Sequence, residues 1–89
     1  MFGIFTSENT LEGLKSVFTI TKRDLIDTRQ SMYETLRSVR NEWHDEKYME
    51  VARMVWELDS EISARIDDID RMKRHVEETL TRLQNYRRS

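Results

Sequence analysis

Adjacent acids and two histidines are the residues of this sequence whose types could support catalysis or metal binding. Asp67 and Asp68 are neighbouring carboxylates, which can act as a general acid and base when they converge on one substrate atom. Consecutive residues of a helix diverge, so we expect this pair to form a charged helix face instead. Neither His44 nor His75 stands in the Glu-x-x-His or His-x-x-x-His spacing of a helical metal site. The sequence therefore predicts no enzyme activity, no metal ion and no cofactor.

The composition favours long, solvated helices with a thin core. Charged residues make up 36% and apolar residues 37% of the 89 residues, and no Pro divides the chain. We predict a single all-α domain over residues 1–89. The 15 basic and 17 acidic residues are interleaved, so the sequence has no basic face of the kind that binds nucleic acid.

The sequence carries no recognisable targeting segment. Its apolar runs are shorter than the roughly 20 residues of a membrane span, and the start, Met1–Phe5, lacks the basic region of a signal peptide. Cys is absent, so no disulfide indicates the compartment. We expect a protein without a membrane span that is either secreted without a cleavable signal peptide or cytoplasmic.

Apolar residues recur every seven positions in two segments, which predicts long amphipathic helices at about 9–41 and 45–86. The first stripe is Leu11, Phe18, Leu25, Met32 and Val39. The second stripe is Tyr48, Val55, Ile62, Ile69, Val76 and Leu83. The residues three positions after the stripes are expected to accompany them, namely Leu14, Thr21, Thr28 and Thr35 on the first helix and Val51, Leu58, Met72 and Tyr86 on the second.

The phase of the stripes and the capping residues predict a reversal between the helices. Val39 and Tyr48 are nine residues apart, so one unbroken helix would turn the second stripe out of line with the first. Asp45 can cap the second helix and tolerates the αL geometry of a tight reversal. Asn9 can begin the first helix in a capping box. The sequence thus predicts an antiparallel two-helix hairpin with its turn at 42–45.

Folding the chain at this turn sets the two stripes against each other. Opposed residues in such a hairpin have numbers with a constant sum, and stripe pairs such as Leu25 with Ile62 sum to 87. Antiparallel coiled coils often set one heptad class against the other, which would shift this sum by about three. The stripes alone leave both registers open.

Four apolar residues lie beside the stripes: Ile26 and Tyr33 on the first helix, and Met49 and Trp56 on the second. The members of each pair are seven residues apart, which indicates a second apolar face. We predict that this face binds another hairpin, so that two hairpins form a four-helix bundle. At the turn, Trp43 can pack against the end of the bundle or anchor a partner, and packing is the expected role.

The turn and the layout of the chain resemble the Trp-x-Gly family, the small helical hairpins that bacterial type VII secretion systems export. The resemblance rests on chain length, on two long helices, and on Trp43, His44 and Asp45 followed by the helical Tyr48, Val51 and Val55. Asp45 stands where the family usually has Gly. The pattern covers nearly the whole chain.

This resemblance implies a non-catalytic secreted substrate or adaptor that binds a similar hairpin or a larger secreted protein, as a homodimer or a heterodimer. The alternative is a structural or scaffold subunit, cytoplasmic or polymerising, that is unrelated to export. Both functions need a protein partner, and neither needs a cofactor, nucleic acid or a membrane span. Detection of the protein in culture supernatant would distinguish them.

Overall fold

The computed structural model describes residues 4–43 and 45–88, with side chains from residue 7 onward. These residues form two helices, α1 over Ile4–Glu42 and α2 over Glu46–Arg88. Contacts between the start of α1 and the end of α2 show that the helices run antiparallel. The predicted all-α, antiparallel two-helix hairpin is confirmed. The hairpin is a rod with extents of 66 × 19 × 15 Å.

Helix α1 begins earlier than the sequence predicts. The capping box placed its start at Asn9, but the helix begins at Ile4, so the prediction of a cap at Asn9 was wrong. Packing accounts for the difference, because Glu8 is only 9% exposed and Arg87 Nη1 of α2 donates to its Oε2 over 3.1 Å. A tertiary contact of this kind stabilises a first turn that lies beyond the local capping signal.

Short local contacts make the reversal. Trp43 N–H donates to Val39 O over 2.8 Å and closes the last turn of α1. Asp45 Oδ1 accepts from the amides of Lys47 and Tyr48 over 3.1 and 3.3 Å, which confirms its predicted role as N-cap. No described residue has a positive φ, so the αL conformation suggested for Asp45 was wrong. The cap forms in ordinary backbone geometry.

Each helix presents two rows of residues to the other helix. One row is the predicted stripe, whose members are all buried or half-buried, as predicted. The second row, which we name the +4 row, lies four positions after the stripe and is also buried or half-buried. It consists of Glu8, Lys15, Lys22, Arg29 and Leu36 on α1 and of Ala52, Asp59, Ile66, Lys73 and Leu80 on α2. The seam between the helices is therefore partly charged.

The residues three positions after the stripes lie outside the seam, so their predicted place beside the stripes was wrong. All of them are exposed: Leu14, Thr21, Thr28, Thr35, Val51, Leu58, Met72 and Tyr86. Successive helix residues turn by about 100°, so the +4 row lies about 40° from the stripe, while the +3 row lies about 60° away on the other side. A seven-residue period fits both rows, and the contacts between the helices place the +4 row in the seam.

Contacts across the seam also correct the register. The residue numbers sum to 92 for Lys15 with Glu77 and for Lys22 with Asp70, to 88 for Arg29 with Asp59 and to 95 for Glu8 with Arg87. These sums all exceed 87 and favour the alternative register, in which the sum is shifted. In the observed register, the stripe of each helix opposes the +4 row of the other. This is the packing of one heptad class against the other that antiparallel helices often adopt.

Candidate protein-binding surfaces

The residues directly after the stripes form one flank of the hairpin, which we name the aromatic flank after Tyr33 and Trp56. Rows one position after the stripes of two antiparallel helices lie on the same side of the pair. All four predicted interface residues belong to this flank. Their exposed fractions are 44% for Ile26, 37% for Tyr33 and 50% for both Met49 and Trp56. The hairpin thus brings the four together on one surface, and their binding to a partner stays a prediction.

Exposed cations border the aromatic flank near the turn. Arg40 lies on the same row as Tyr33. Arg37 is four positions after Tyr33 and so lies beside it on α1, and Arg53 is related in the same way to Met49 on α2. None of the three arginines forms an ion pair with a described residue. This end of the flank combines apolar side chains with exposed charges, among which Glu46 and Glu57 stand near Arg53 on α2.

A polar cluster lies in the seam next to Tyr33. Arg29 Nε lies 3.1 Å from Asp59 Oδ1, and Arg29 Nη1 donates to Ser63 Oγ over 3.3 Å. Partial desolvation, together with hydrogen bonding to the Asp59 carboxylate and its negative charge, raises the pKa of Tyr33 above its ordinary value. Tyr33 therefore adjoins this polar cluster while its ring forms part of the aromatic flank.

Cations of the +4 row of α1 have acidic partners on α2. Lys22 Nζ donates to Asp70 Oδ1 over 2.7 Å, and Lys15 Nζ lies 3.9 Å from Glu77 Oε1. These side chains are partly exposed, so each pair contributes about 0–1 kcal/mol to stability and acts mainly on register. Sequence reasoning missed this row, although the cations at Lys15, Lys22 and Arg29 recur every seven residues.

The opposite flank, formed by the residues three positions after the stripes, contains grooves, and we name it the grooved flank. Near the turn, a groove of about 480 Å³ lies between the helices. Its α1 wall includes the short side chains of Thr28 and Thr35, and its α2 wall includes Val51 and Val55. A second groove of about 360 Å³, further from the turn, is lined in part by Leu14, Phe18, Met72 and Val76. Short side chains opposite larger ones leave room for side chains of another molecule.

Unpaired acids border the grooved flank near the turn. Asp27 lines the groove between the helices. Glu57 and Glu61 line a neighbouring groove on α2 together with Met54 and Leu58. None of the three acids forms an ion pair with a described residue. Sequence reasoning missed this surface because it assigned most of its apolar residues to the interior.

The three residues of the turn motif have different outcomes. Trp43 keeps 51% of its surface exposed, so the hairpin by itself does not bury the ring, and its packing against the end of a bundle stays a prediction. Asp45 caps α2. His44 lies outside the described residues. The motif therefore contributes one capping residue and one large exposed ring at the end of the rod.

Comparisons of the chain with protein-family models, curated proteins and solved structures gave no match. The resemblance to the Trp-x-Gly family thus rests on the turn residues and the two helices alone. Within the described part of the chain, no cluster of His, Asp or Glu is suited to hold a metal ion. No helix in that part combines the length and apolar character needed to cross a membrane.

Proposed function

We propose that this chain is a non-catalytic protein-binding hairpin whose aromatic flank contacts another helical hairpin. The observation that carries the proposal is the grouping of four large exposed side chains on that flank: Ile26, Tyr33, Met49 and Trp56. Contiguous apolar surfaces mark interaction sites more often than isolated apolar residues do. Aromatic and arginine side chains are also enriched among the residues that dominate binding energy.

The exposed area of the rod supports a partner. Its accessible surface is 7131 Å², whereas a compact monomer of 10.8 kDa exposes about 5,500 Å². The excess of about 1,600 Å² is larger than the roughly 800 Å² that each partner buries in a typical stable interface. Long helices joined by one seam gain much of their stability from further packing, so a second hairpin would stabilise this one.

The assembly in this proposal is a four-helix bundle of two hairpins, as a homodimer or a heterodimer. The double variant Tyr33→Glu with Trp56→Lys is expected to weaken association at least tenfold, measured by sedimentation equilibrium, and to lower helicity. Ile20→Lys is the matched control, because Ile20 is also half exposed but lies on the outer surface of α1. Unchanged association in the double variant would place the interface elsewhere.

Following the resemblance to Trp-x-Gly hairpins, the chain serves as a secreted substrate or adaptor of a type VII-like secretion system. Its partner is then a similar hairpin or a larger secreted protein. An epitope-tagged chain, expressed in a bacterium that has such a system, is expected in the culture supernatant while a cytosolic marker stays in the cells. Retention of the tagged chain would contradict export and leave the binding proposal standing.

A structural subunit that polymerises is a second candidate, and one observation favours it. The rod has two different surfaces with exposed apolar residues, the aromatic flank and the grooved flank. A closed dimer needs one self-complementary surface on each subunit, whereas a polymer needs two different surfaces that complement each other.

A further inference from the structure

The two rings of the aromatic flank come from different helices and lie at nearly the same level of the rod. Tyr33 is four positions after Arg29 on α1, and Trp56 is three positions before Asp59 on α2. Residues three or four positions apart are neighbours on a helix surface. Because Arg29 and Asp59 pair across the seam of antiparallel helices, both rings lie about one helical turn nearer the hairpin turn than this pair. Their relative level therefore depends on how the helices are aligned at the pair.

A polar cluster specifies this alignment. Arg29 Nε lies 3.1 Å from Asp59 Oδ1, and Arg29 Nη1 donates to Ser63 Oγ over 3.3 Å. One planar guanidinium thus contacts two residues of α2 that are one turn apart, which restricts its level more than a single contact would. The side chain of Asp59 is only 23% exposed, so solvent and salt screen the pair less than they screen a fully exposed one.

In the described part of the chain, no other ion pair between the helices lies as close to the rings. The others are further from the turn, namely Lys22 with Asp70, Lys15 with Glu77 and Glu8 with Arg87. On the turn side of Arg29, the +4 row continues with the buried apolar residues Leu36 and Ala52. Apolar contacts are non-directional and specify a level weakly. Arg29 and Asp59 are therefore the pair that can set the level of the rings.

We propose that Arg29 and Asp59 are positioning residues, which align Tyr33 with Trp56 and so preorganise the aromatic flank before a partner binds. This inference rests on the proposed function, because it explains how the binding surface is assembled from two helices. A surface whose side chains are already ordered loses less conformational entropy on binding. Partly exposed ion pairs add little stability, so removal of the pair should change alignment more than it changes melting.

Paired spin labels measure the alignment directly. The sequence contains no Cys, so cysteines at the exposed positions Gln30 and Ser60 give one label on each helix beside the rings. Double electron–electron resonance, with unlabelled protein in excess, reports the distance between the two labels of one molecule. We expect one narrow distance distribution with the native pair and a clearly broader one in Asp59→Ala. A width that Asp59→Ala leaves unchanged would overturn the inference.

Asp70→Ala is the matched control on the same helix. It removes the carboxylate that accepts from Lys22 over 2.7 Å, further from the rings, and should leave the distribution narrow. The charge exchange of Arg29→Asp with Asp59→Arg re-forms the pair in reverse and should restore the narrow distribution. Equal broadening in Asp70→Ala would overturn the inference, because general weakening of the seam would then set the alignment. Circular dichroism checks that each variant is folded, and Asp59→Asn is the milder substitution if Asp59→Ala is not.

Self-association of the chain tests the link to binding. In sedimentation equilibrium, Asp59→Ala is expected to weaken association roughly tenfold, because the two rings must then be ordered at the moment of binding. Asp70→Ala should leave association unchanged. A broader distance distribution with unchanged association in Asp59→Ala would overturn the role in binding. The distance measurement needs no partner, so it also decides whether the pair aligns the rings in a chain that stays monomeric.

The outcomes separate this inference from the proposed function. A narrow distribution in Asp59→Ala, with association lost in the Tyr33 and Trp56 double variant, would overturn the inference and leave the proposed function standing. Unchanged association in that double variant would contradict the proposed function, whatever the width of the distribution. Broadening in Asp59→Ala, restoration by the charge exchange and weaker association in both variants would support the two proposals together.

Discussion

The two helices contribute unequally to the seam that joins them. On α2 the +4 row includes Ala52, Ile66 and Leu80, all of them buried. The same row of α1 is charged over most of its length, and residues such as Lys22 and Arg29 are half-buried there. Apolar burial stabilises without specifying a position along the helix, whereas charged pairs in a seam favour one alignment. Helix α2 therefore provides most of the apolar burial that stabilises the hairpin. The charged residues of α1 do more to select one alignment of the two helices.

The largest loss of stability is expected when a charge replaces a buried apolar residue of α2. Ile62 on α2 is buried, so Ile62→Asp would bury an unpaired carboxylate at a cost of about 4 kcal/mol or more, close to the whole stability of a small domain. Circular dichroism should show loss of most helicity. Leu58→Asp, at an exposed position one turn earlier, is the control and should stay folded. Normal helicity and melting in Ile62→Asp would mean that Ile62 faces solvent.

Replacing the charged seam residues of α1 by apolar residues should not lower stability in this way. Replacing both members of the pairs Lys15 with Glu77 and Lys22 with Asp70 by Leu removes two partly desolvated ion pairs, and we expect the free energy of unfolding to stay level or rise by about 1–4 kcal/mol. Alignment should suffer, so sedimentation should show a broader range of assembly sizes than the wild type has. Lys22→Arg keeps the charge and is the control. A marked fall in melting temperature for the Leu variant would mean that α1 contributes cohesion as well as alignment.

The start of α2 offers a smaller effect that does not involve α1. Asp45 Oδ1 accepts from two amides of the first turn of α2, so Asp45→Ala should lower the free energy of unfolding by about 0.5–2 kcal/mol. Asp45→Asn keeps a side-chain oxygen that can accept these bonds and should lose much less. Urea denaturation measures both. Equal losses in the two variants would show that the charge of Asp45, and not its cap geometry, matters.

The smallest effect concerns the pKa of Tyr33. Desolvation and Asp59 raise it, so the hydrogen bond stabilises the fold below the unfolded-state pKa of about 10, and this contribution is lost as pH rises through the higher folded-state pKa. Ultraviolet absorbance titration should find one tyrosine that ionises later than the others. Tyr33→Phe should remove that component, and Asp59→Asn should shift it to lower pH. A late component that persists in Tyr33→Phe would belong to another tyrosine.

The sequence predicted the stripes, the cap at Asp45 and the hairpin because each depends on local periodicity or on local hydrogen bonding. The sequence did not predict which residues accompany the stripes in the seam, because two rows fit the same period. The +3 and +4 rows share the seven-residue period, and only contacts such as Lys22 with Asp70 select between them. The start of α1 was misplaced for a similar reason, since the contact of Glu8 with Arg87 joins residues far apart in the chain.

The two candidate surfaces also differ in whether the sequence could predict them. The aromatic flank could be predicted because Tyr33 and Trp56 lie off the stripes under either choice of row. The grooved flank could not, because residues such as Val51 and Leu58 become surface residues only when the +4 row occupies the seam. Its bordering acids were visible as charges in the sequence, but their position beside an apolar groove depends on how the helices meet.

The single linear seam makes the hairpin close to a one-dimensional lattice, in which each layer of side chains touches only the layers next to it. Such a lattice opens from an end and not all at once, and here the turn ties one end together. Amide exchange should therefore be fastest at the end of the rod distant from the turn and slow progressively toward the buried layers around Ile62 and Ile66. The length of the paired part of the hairpin then varies, and a partner bound beside these buried layers would hold the part that stays paired longest.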